Sequence, residues 1–154
     1  MDGKVEARLV ALGITLPEAP KPVANYVPTL IAGDLLYISG QISMADGIVT
    51  TGRLGADLAI EQGQAAARLS AIQILAQAKA ALGELDRVAQ VVKLTGFVNA
   101  TPDFADHPKV INGASDLMVD VFGDKGRHTR AAVGASSLPM NCAVEVDAIL
   151  RIER

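Results

Sequence analysis

Apolar residues recur along the chain with two different periods, and these periods predict its helices and strands. Spacings of three and four residues predict long helices over 57–82 and 103–122, and a glycine follows each of them. A shorter amphipathic stretch over 1–13 predicts a third helix, which leads into an extended, proline-containing segment over 16–22. The glycine-rich segment 44–55 is expected to be a loop.

Runs of β-branched and other apolar residues predict five strands. They cover 24–32, 35–42, 88–98, 129–137 and 142–152. The first two flank Gly33-Asp34, a turn pair typical of a β-hairpin. In the last run Val144, Val146, Ala148 and Leu150 share one face, and Glu145, Asp147, Ile149 and Arg151 share the other.

The order helix, β, β, helix, β, helix, β, β predicts one α+β domain over 1–154, in which 1–22 forms the N-terminal helix and lead-in. Two long helices can cover only one face of the sheet. The runs 131–135 and 142–150 are nevertheless too apolar for the other face to be bare. Such a face predicts a partner, and a second copy of the chain is the commonest kind.

Charge and cysteine content narrow the classes of function. The formal net charge is -3 and the basic residues are scattered, so no nucleic-acid partner is expected. The single cysteine, Cys142, is interpreted as a small core residue, and it allows no intrachain disulfide. No stretch has the length of a membrane span, and the first residues lack the apolar run of a signal peptide. We therefore expect a cytoplasmic protein that is not associated with membranes.

Four segments, in the same order and with the family's spacing kept within the last of them, resemble the RidA (YjgF-like) family of reactive-intermediate deaminases. They are Ile38-Ser39-Gly40-Gln41-Ile42, the strand VVKLTGFV over 91–98, Asp103-Phe104 at the start of the second long helix, and Arg130 followed by Leu138-Pro139 and VEVDA over 144–148. Five departures place the chain in a longer, less characterised branch. His128, Ala132 and Pro102 stand where the family often has proline, cysteine and asparagine, 106–110 looks like an insertion, and the N-terminal helix is additional.

The resemblance implies a chorismate-mutase-like mixed sheet with the two main helices on one face, assembled as a homotrimer with ligand pockets between subunits. It implies hydrolysis of enamines and imines such as 2-aminoacrylate to 2-oxo acids and ammonia, without a metal or other cofactor. A non-catalytic binder of small carboxylate metabolites on the same scaffold is the alternative. An endoribonuclease ranks last, because the chain is acidic and poor in aromatic residues.

Arg130 and Glu145 are the candidate catalytic residues. The guanidinium of Arg130 is expected to bind the substrate carboxylate through two parallel hydrogen bonds. From the residues alone, an internal ion pair of Arg130 with Glu145 or Asp147 is the favoured interpretation. The resemblance implies that Glu145 orients the attacking water, and burial could raise its pKa enough for a general base.

Four further residues are candidates for substrate binding: Ser39, Gly40, Tyr26 and His128. The hydroxyl or amide of Ser39 is placed to bind the second carboxylate oxygen, and Gly40 permits close approach of the backbone. Ser39 is alternatively an ordinary turn serine, and Tyr26 an ordinary packing residue. His128 lies close to Arg130 in the sequence and is expected to line the pocket. Together with His107 it is too isolated to form a metal site.

Overall fold

The computed structural model describes residues 3–21 and 24–154. These residues form three α-helices: α1 (Lys4–Ala11), α2 (Ile60–Leu82) and α3 (His107–Phe122). They also form seven strands: β1 (Thr29–Ala32), β2 (Leu35–Ile42), β3 (Met44–Ala45), β4 (Ile48–Val49), β5 (Val88–Asn99), β6 (Thr129–Ala135) and β7 (Val144–Ile152). None of the helices in this described part is long and apolar enough to cross a membrane.

Five of the strands form one mixed sheet in the order β1-β2-β7-β5-β6. Neighbouring strands are antiparallel except for β5 and β6, which are parallel. Helices α2 and α3 pack together on one face of this sheet, where Leu36, Leu94 and Leu150 are fully buried beneath them. The predicted α+β arrangement, with the two long helices on one face, is confirmed.

The predicted hairpin is confirmed around Gly33-Asp34, where Ala32 lies opposite Leu35. Its first strand is shorter than predicted and begins at Thr29 rather than at 24. Pro28 explains the difference, since proline has no backbone N–H to donate and restricts the residue before it.

The loop predicted over 44–55 contains structure that the sequence interpretation missed. Strands β3 and β4 form a small hairpin joined by Asp46 and Gly47. Both residues have positive φ angles, 52° and 75°, which is the geometry of a type I′ turn and the reason that Asp-Gly is favoured there.

Helix α2 begins three residues later than predicted, at Ile60. The carboxylate of Asp57 accepts a hydrogen bond from the backbone N–H of Arg53 at 3.0 Å, which holds Asp57 in the turn ahead of the helix. The side chain of Gln62 reaches back to accept from the N–H of Ala59 at 2.8 Å. These two bonds fix the start of the helix, and Gly83, with a φ of 76°, ends it as predicted.

Helix α3 begins at His107, so the prediction that Asp103-Phe104 opens it is wrong. The N–H of Phe104 donates to the carbonyl of Thr101 at 3.1 Å and closes a separate turn. Pro108 then lies in the first helical turn, where its missing N–H has no cost. The predicted end of the helix at Gly123 is confirmed.

The N-terminal helix is confirmed as α1, while the ends of its predicted range and of the lead-in, at residues 1–2 and 22, lie outside the described residues. The carboxylate of Asp86 accepts hydrogen bonds from the N–H groups of Lys4 and Val5, at 2.8 and 2.9 Å. Residues 14–21 form neither helix nor strand, as expected for the lead-in.

The face of the sheet opposite α2 and α3, here called the open face, has no covering helix or strand among residues 3–21 and 24–154. On β7, the set Val144, Val146, Ala148 and Leu150 is buried under the helices, whereas Glu145, Asp147, Ile149 and Arg151 are half-buried or exposed. The predicted division of β7 into two faces is therefore confirmed. Tyr37, Val133 and Leu30 leave 42, 43 and 60 % of their surface exposed on the open face.

Candidate functional site

Arg130 lies on the edge strand β6, opposite the fully buried Leu94 of β5, and therefore faces the helix side of the sheet. Its Nη1 donates to Oδ1 of Asn112 at 2.8 Å and to Oγ of Ser115 at 3.1 Å. Its Nε and Nη2 have no hydrogen-bond partner among the described residues. The guanidinium is thus anchored at one corner, while the other edge presents two parallel N–H donors.

The charge of Arg130 has no carboxylate partner in the part of the chain that the structure describes. The ion pair with Glu145 or Asp147, which the sequence left open, does not form there. A half-buried guanidinium without a counter-ion favours an anion at its free edge.

His128 does not line a cavity with Arg130. It contacts the hydroxyl group of Ser115, which in turn binds Arg130. Its Nδ1 lies 2.6 Å from the carbonyl oxygen of Gly126, and its Nε2 lies 2.9 Å from Oγ of Ser115. The Ser115 hydroxyl that contacts Nε2 also accepts the hydrogen bond from Nη1 of Arg130 at 3.1 Å. His128 therefore helps to position the hydroxyl that holds the arginine.

Glu145 lies on β7 opposite Phe97 and Ile42, on the open face. Burial raises the pKa of its carboxyl group, and the charge of Asp147 raises this pKa further. The carboxylate accepts no hydrogen bond from the described residues, so its oxygens are free to bind a water molecule. A raised pKa and free oxygens are the properties required of a general base.

Gly40 packs directly against Glu145, and a Cβ atom on it would collide with the Glu145 carboxylate. The pairing of β2 with β7 changes register between Ile38 and Gln41. This β-bulge takes the backbone at Ser39-Gly40 out of the regular hydrogen-bond ladder between the two strands. The N–H of Ser39 donates to the carbonyl of Pro28 at 2.9 Å. The amide of Ser39 is therefore already engaged. Its hydroxyl oxygen accepts a hydrogen bond from Nε2 of Gln41 at 3.5 Å, and the hydroxyl proton remains available to a ligand.

A cavity of about 400 Å³ opens beside this bulge. It is lined by Ser39, Gly40 and Tyr26, which are three of the predicted substrate-binding residues. Tyr26 leaves 54 % of its surface exposed at this position. The volume suits a small metabolite.

The structure places Arg130 and His128 on the helix side of the sheet, whereas Glu145 lies on the open face, packed against Gly40. The cavity that Ser39, Gly40 and Tyr26 line extends to helix α2, and Glu145 is not among the residues that line it. One small ligand cannot touch both Arg130 and Glu145 of the same chain.

Sequence reasoning missed the residues that hold Arg130 in place. Asn112 and Ser115 are three positions apart on α3, so they share a helix face, but nothing in their spacing indicates a partner on a distant strand. It also missed Gln73 and Gln77, whose buried amides line the cavity beside Ser39. Glutamine in an alanine-rich helix normally indicates a solvated face.

Cys142 is fully buried, and burial raises the pKa of its thiol to about 11. A thiol of this kind is neutral at physiological pH and is a poor nucleophile. The interpretation of Cys142 as a core residue is confirmed.

Comparison with known proteins places this geometry in a family. Residues 6–150 match the family model described as "YjgF/chorismate_mutase-like, putative endoribonuclease". The chain is 51 % identical over 152 residues to protein TCP17 of Trypanosoma cruzi, covering 97 % of this chain and 95 % of that protein. It is 29 % identical over 140 residues to 2-iminobutanoate/2-iminopropanoate deaminase of Dermatophagoides farinae, covering 91 and 95 %.

A crystal structure from Shewanella oneidensis, described as a "putative endoribonuclease", superposes with a TM-score of 0.94. The two sequences are 38 % identical, and the alignment covers 97 % of this chain and all of that one. A family match over almost the whole chain, together with a fold this similar, shows that the chain belongs to the YjgF/chorismate mutase-like family, as its resemblance to RidA proteins predicted.

Proposed function

We propose that the chain hydrolyses small enamines and imines derived from amino acids, of the 2-aminoacrylate type, to 2-oxo acids and ammonia. The observation that carries the proposal is the free Nε–Nη2 edge of Arg130, on a half-buried guanidinium without a carboxylate partner among the described residues. Two parallel donors in one plane fit a carboxylate. The similarity to a 2-iminobutanoate/2-iminopropanoate deaminase supports this reaction class.

The chemistry requires a water molecule and a group that moves protons. The enamine first takes up a proton on carbon and becomes the iminium ion, as it does in water. Glu145 then removes a proton from water while the water oxygen bonds to the C=N carbon, which gives a neutral carbinolamine. Transfer of that proton from Glu145 to nitrogen lets the C–N bond break and ammonia leave, while Glu145 takes the hydroxyl proton and the C=O of the 2-oxo acid forms.

We further propose that Arg130 and Glu145 of one site come from two copies of the chain, within a homotrimer. Their positions on opposite faces of the sheet support this arrangement. The open face supports it too, because Tyr37, Val133 and Leu30 are apolar side chains that the described residues leave exposed there. In this arrangement one copy of the chain contributes Glu145 together with Ser39, Gly40 and Tyr26. The other copy contributes Arg130 together with His128.

An assay with enzymatically generated 2-aminoacrylate tests the activity. Release of pyruvate and ammonia is followed with and without the protein, and acceleration over the spontaneous reaction is expected. A protein that binds pyruvate through Arg130 without accelerating the release would instead be the non-catalytic binder.

Complementation between two inactive variants tests whether the site is shared. Arg130→Lys and Glu145→Gln are each expected to be inactive alone. When they are co-expressed, a site is intact wherever the Glu145→Gln chain supplies Arg130 and the Arg130→Lys chain supplies Glu145. Random assembly through such a heterologous interface makes about one quarter of the sites intact.

No recovery of activity in the mixture would show that both residues act from one chain. Light scattering on the same preparations gives the number of copies, and a monomer at micromolar concentration would contradict the shared site.

A further inference from the structure

A second cavity, of about 280 Å³, lies where the parallel strands β5 and β6 end and α3 begins. The residues that line it include Arg53, Thr101, His107, Gly134 and Ser136. Gly134 is four positions beyond Arg130 on β6, which is about 13 Å along an extended strand. The cavity is therefore separate from the free edge of Arg130.

Arg53 supplies the charge in this cavity. Its Nη2 donates to the carbonyl oxygen of Ala100 at 2.8 Å, which fixes the guanidinium against the end of β5. Its Nε is buried and has no hydrogen-bond partner, and its Nη1 has none among the described residues. The nearby carboxylate of Asp57 accepts from the backbone N–H of Arg53, and it forms no ion pair with the guanidinium. The guanidinium is half-buried, held in place, and without a counter-ion.

Two further polar side chains, those of Thr101 and His107, line the cavity with it. The hydroxyl oxygen of Thr101 is buried and has no partner. His107 makes an edge contact with the ring of Phe104, and its ring nitrogens have no hydrogen-bond partner among the described residues. Gly134 keeps the space beside this ring open, because a Cβ atom there would lie 2.6 Å from Nε2 of His107.

We propose that this cavity binds a small oxyanion, a free phosphate or the carboxylate of a small metabolite, with Arg53 as its charged receptor and Thr101 and His107 as further donors. The buried Nε of Arg53 and the buried hydroxyl of Thr101 both lack a partner, which is costly unless a ligand or water satisfies them. The position, outside the carboxyl ends of two parallel strands, is where ligands bind in open sheets that contain such strands. The site is independent of the deaminase reaction proposed above.

Residue-resolved NMR on the intact, ¹⁵N-labelled protein tests the proposal, with inorganic phosphate and pyruvate as separate probes. Titration is done in the Arg130→Lys background, so that pyruvate bound elsewhere does not confuse the result. The amide signals of Thr101, Gly134 and Ser136 are expected to shift with a saturable dependence on one or both probes. Which probe binds more tightly distinguishes phosphate from carboxylate.

Three variants define the receptor. Arg53→Gln is expected to weaken binding by about tenfold or more, the loss that goes with one charge-assisted hydrogen bond. Thr101→Val, which keeps the shape of the side chain, is expected to weaken it by about threefold to tenfold. The exposed Arg151→Gln, which removes the same charge elsewhere, is expected to change nothing.

Shifts that do not saturate, or that Arg151→Gln weakens as much as Arg53→Gln, would overturn the proposal. If Arg53→Gln fails to fold, the test depends on Thr101→Val alone. Undiminished binding in Thr101→Val would also overturn the proposal.

Discussion

Replacing Glu145 by glutamine separates a catalyst from a binder, because it removes a proton acceptor and keeps nearly the same shape. Glu145 is on the open face, against Gly40, and accepts no hydrogen bond from the described residues. If its carboxylate deprotonates the attacking water, the variant loses about a hundredfold or more in turnover, the usual contribution of a general base. Pyruvate binding should be nearly unchanged, since the carboxylate is held by Arg130.

The pH dependence gives a second, independent signature. Burial first, and Asp147 second, raise the pKa of Glu145, so turnover of the parent chain should fall at a higher pH than an ordinary glutamate would produce. In Glu145→Gln this decrease of turnover toward low pH, the acid limb of the pH profile, should be absent. Asp147→Asn should move the limb to lower pH, because it removes the second cause of the raised pKa.

The stability of the variant follows from the same shift. Because the folded state holds the Glu145 proton more tightly than the unfolded chain does, the free energy of unfolding decreases as the pH rises through the raised pKa. Glutamine has no charge to bury at any pH. Glu145→Gln should therefore be at least as stable as the parent chain at neutral pH, and the difference should disappear in acid.

Three measurements check these expectations: turnover with 2-aminoacrylate, calorimetric binding of pyruvate, and thermal unfolding between about pH 3 and pH 8, a range that begins below the usual glutamate pKa. The exposed Glu153→Gln is the matched control and should behave as the parent chain. Unchanged turnover, or a variant that is both less stable and altered in affinity, would refute the reasoning, because it would make Glu145 a structural partner.

Three other results are expected. Arg130→Lys keeps the charge but not the two-donor edge, so pyruvate binding should weaken about tenfold to a hundredfold, whereas Arg151→Lys should have no effect. Gly40→Ala should destabilise the protein by about 1–3 kcal/mol through the collision with Glu145, and a double-mutant cycle with Glu145→Ala should show that the cost depends on that carboxylate. Cys142, whose thiol pKa is about 11, should resist alkylation at pH 8 until the protein is unfolded.

Local patterns were sufficient to predict the main elements of the fold. The helix ends at Gly83 and Gly123 and the hairpin at Gly33 depend on backbone conformations that glycine alone adopts readily, so sequence alone identifies them. The helix starts were harder to predict. A helix start depends on side-chain hydrogen bonds such as the one that Oε1 of Gln62 accepts from the N–H of Ala59. Helical propensity alone would allow the helix to begin about one turn earlier.

The face that a helix buries was also hard to predict. Along α2 apolar residues occur all round the helix, so Ala65 and Ala80 are exposed while Gln73 and Gln77 are buried. Helical spacing identifies such an element without showing which side packs.

For the candidate site, the sequence predicted which residues take part but not how they are arranged. Arg130 and Glu145 follow from the family motif. Their separation onto two faces of the sheet depends on the registers of β5 with β6 and with β7, which no local pattern contains. Asn112 and Ser115 are brought to Arg130 by the packing of α3 alone.

The order of strands in the sheet has a consequence for how the chain reaches its native state. Strand β7 follows every other strand in the chain, yet it lies in the middle of the sheet between β2 and β5. Neither the β1-β2 hairpin nor the β5-β6 pair can join the other before β7 has been synthesised and inserted. During translation the β1-β2 hairpin and the β5-β6 pair therefore keep unpaired strand edges until β7 is available. Such edges are sites of aggregation. Loss of β7 would divide the sheet in two rather than shorten it at one side.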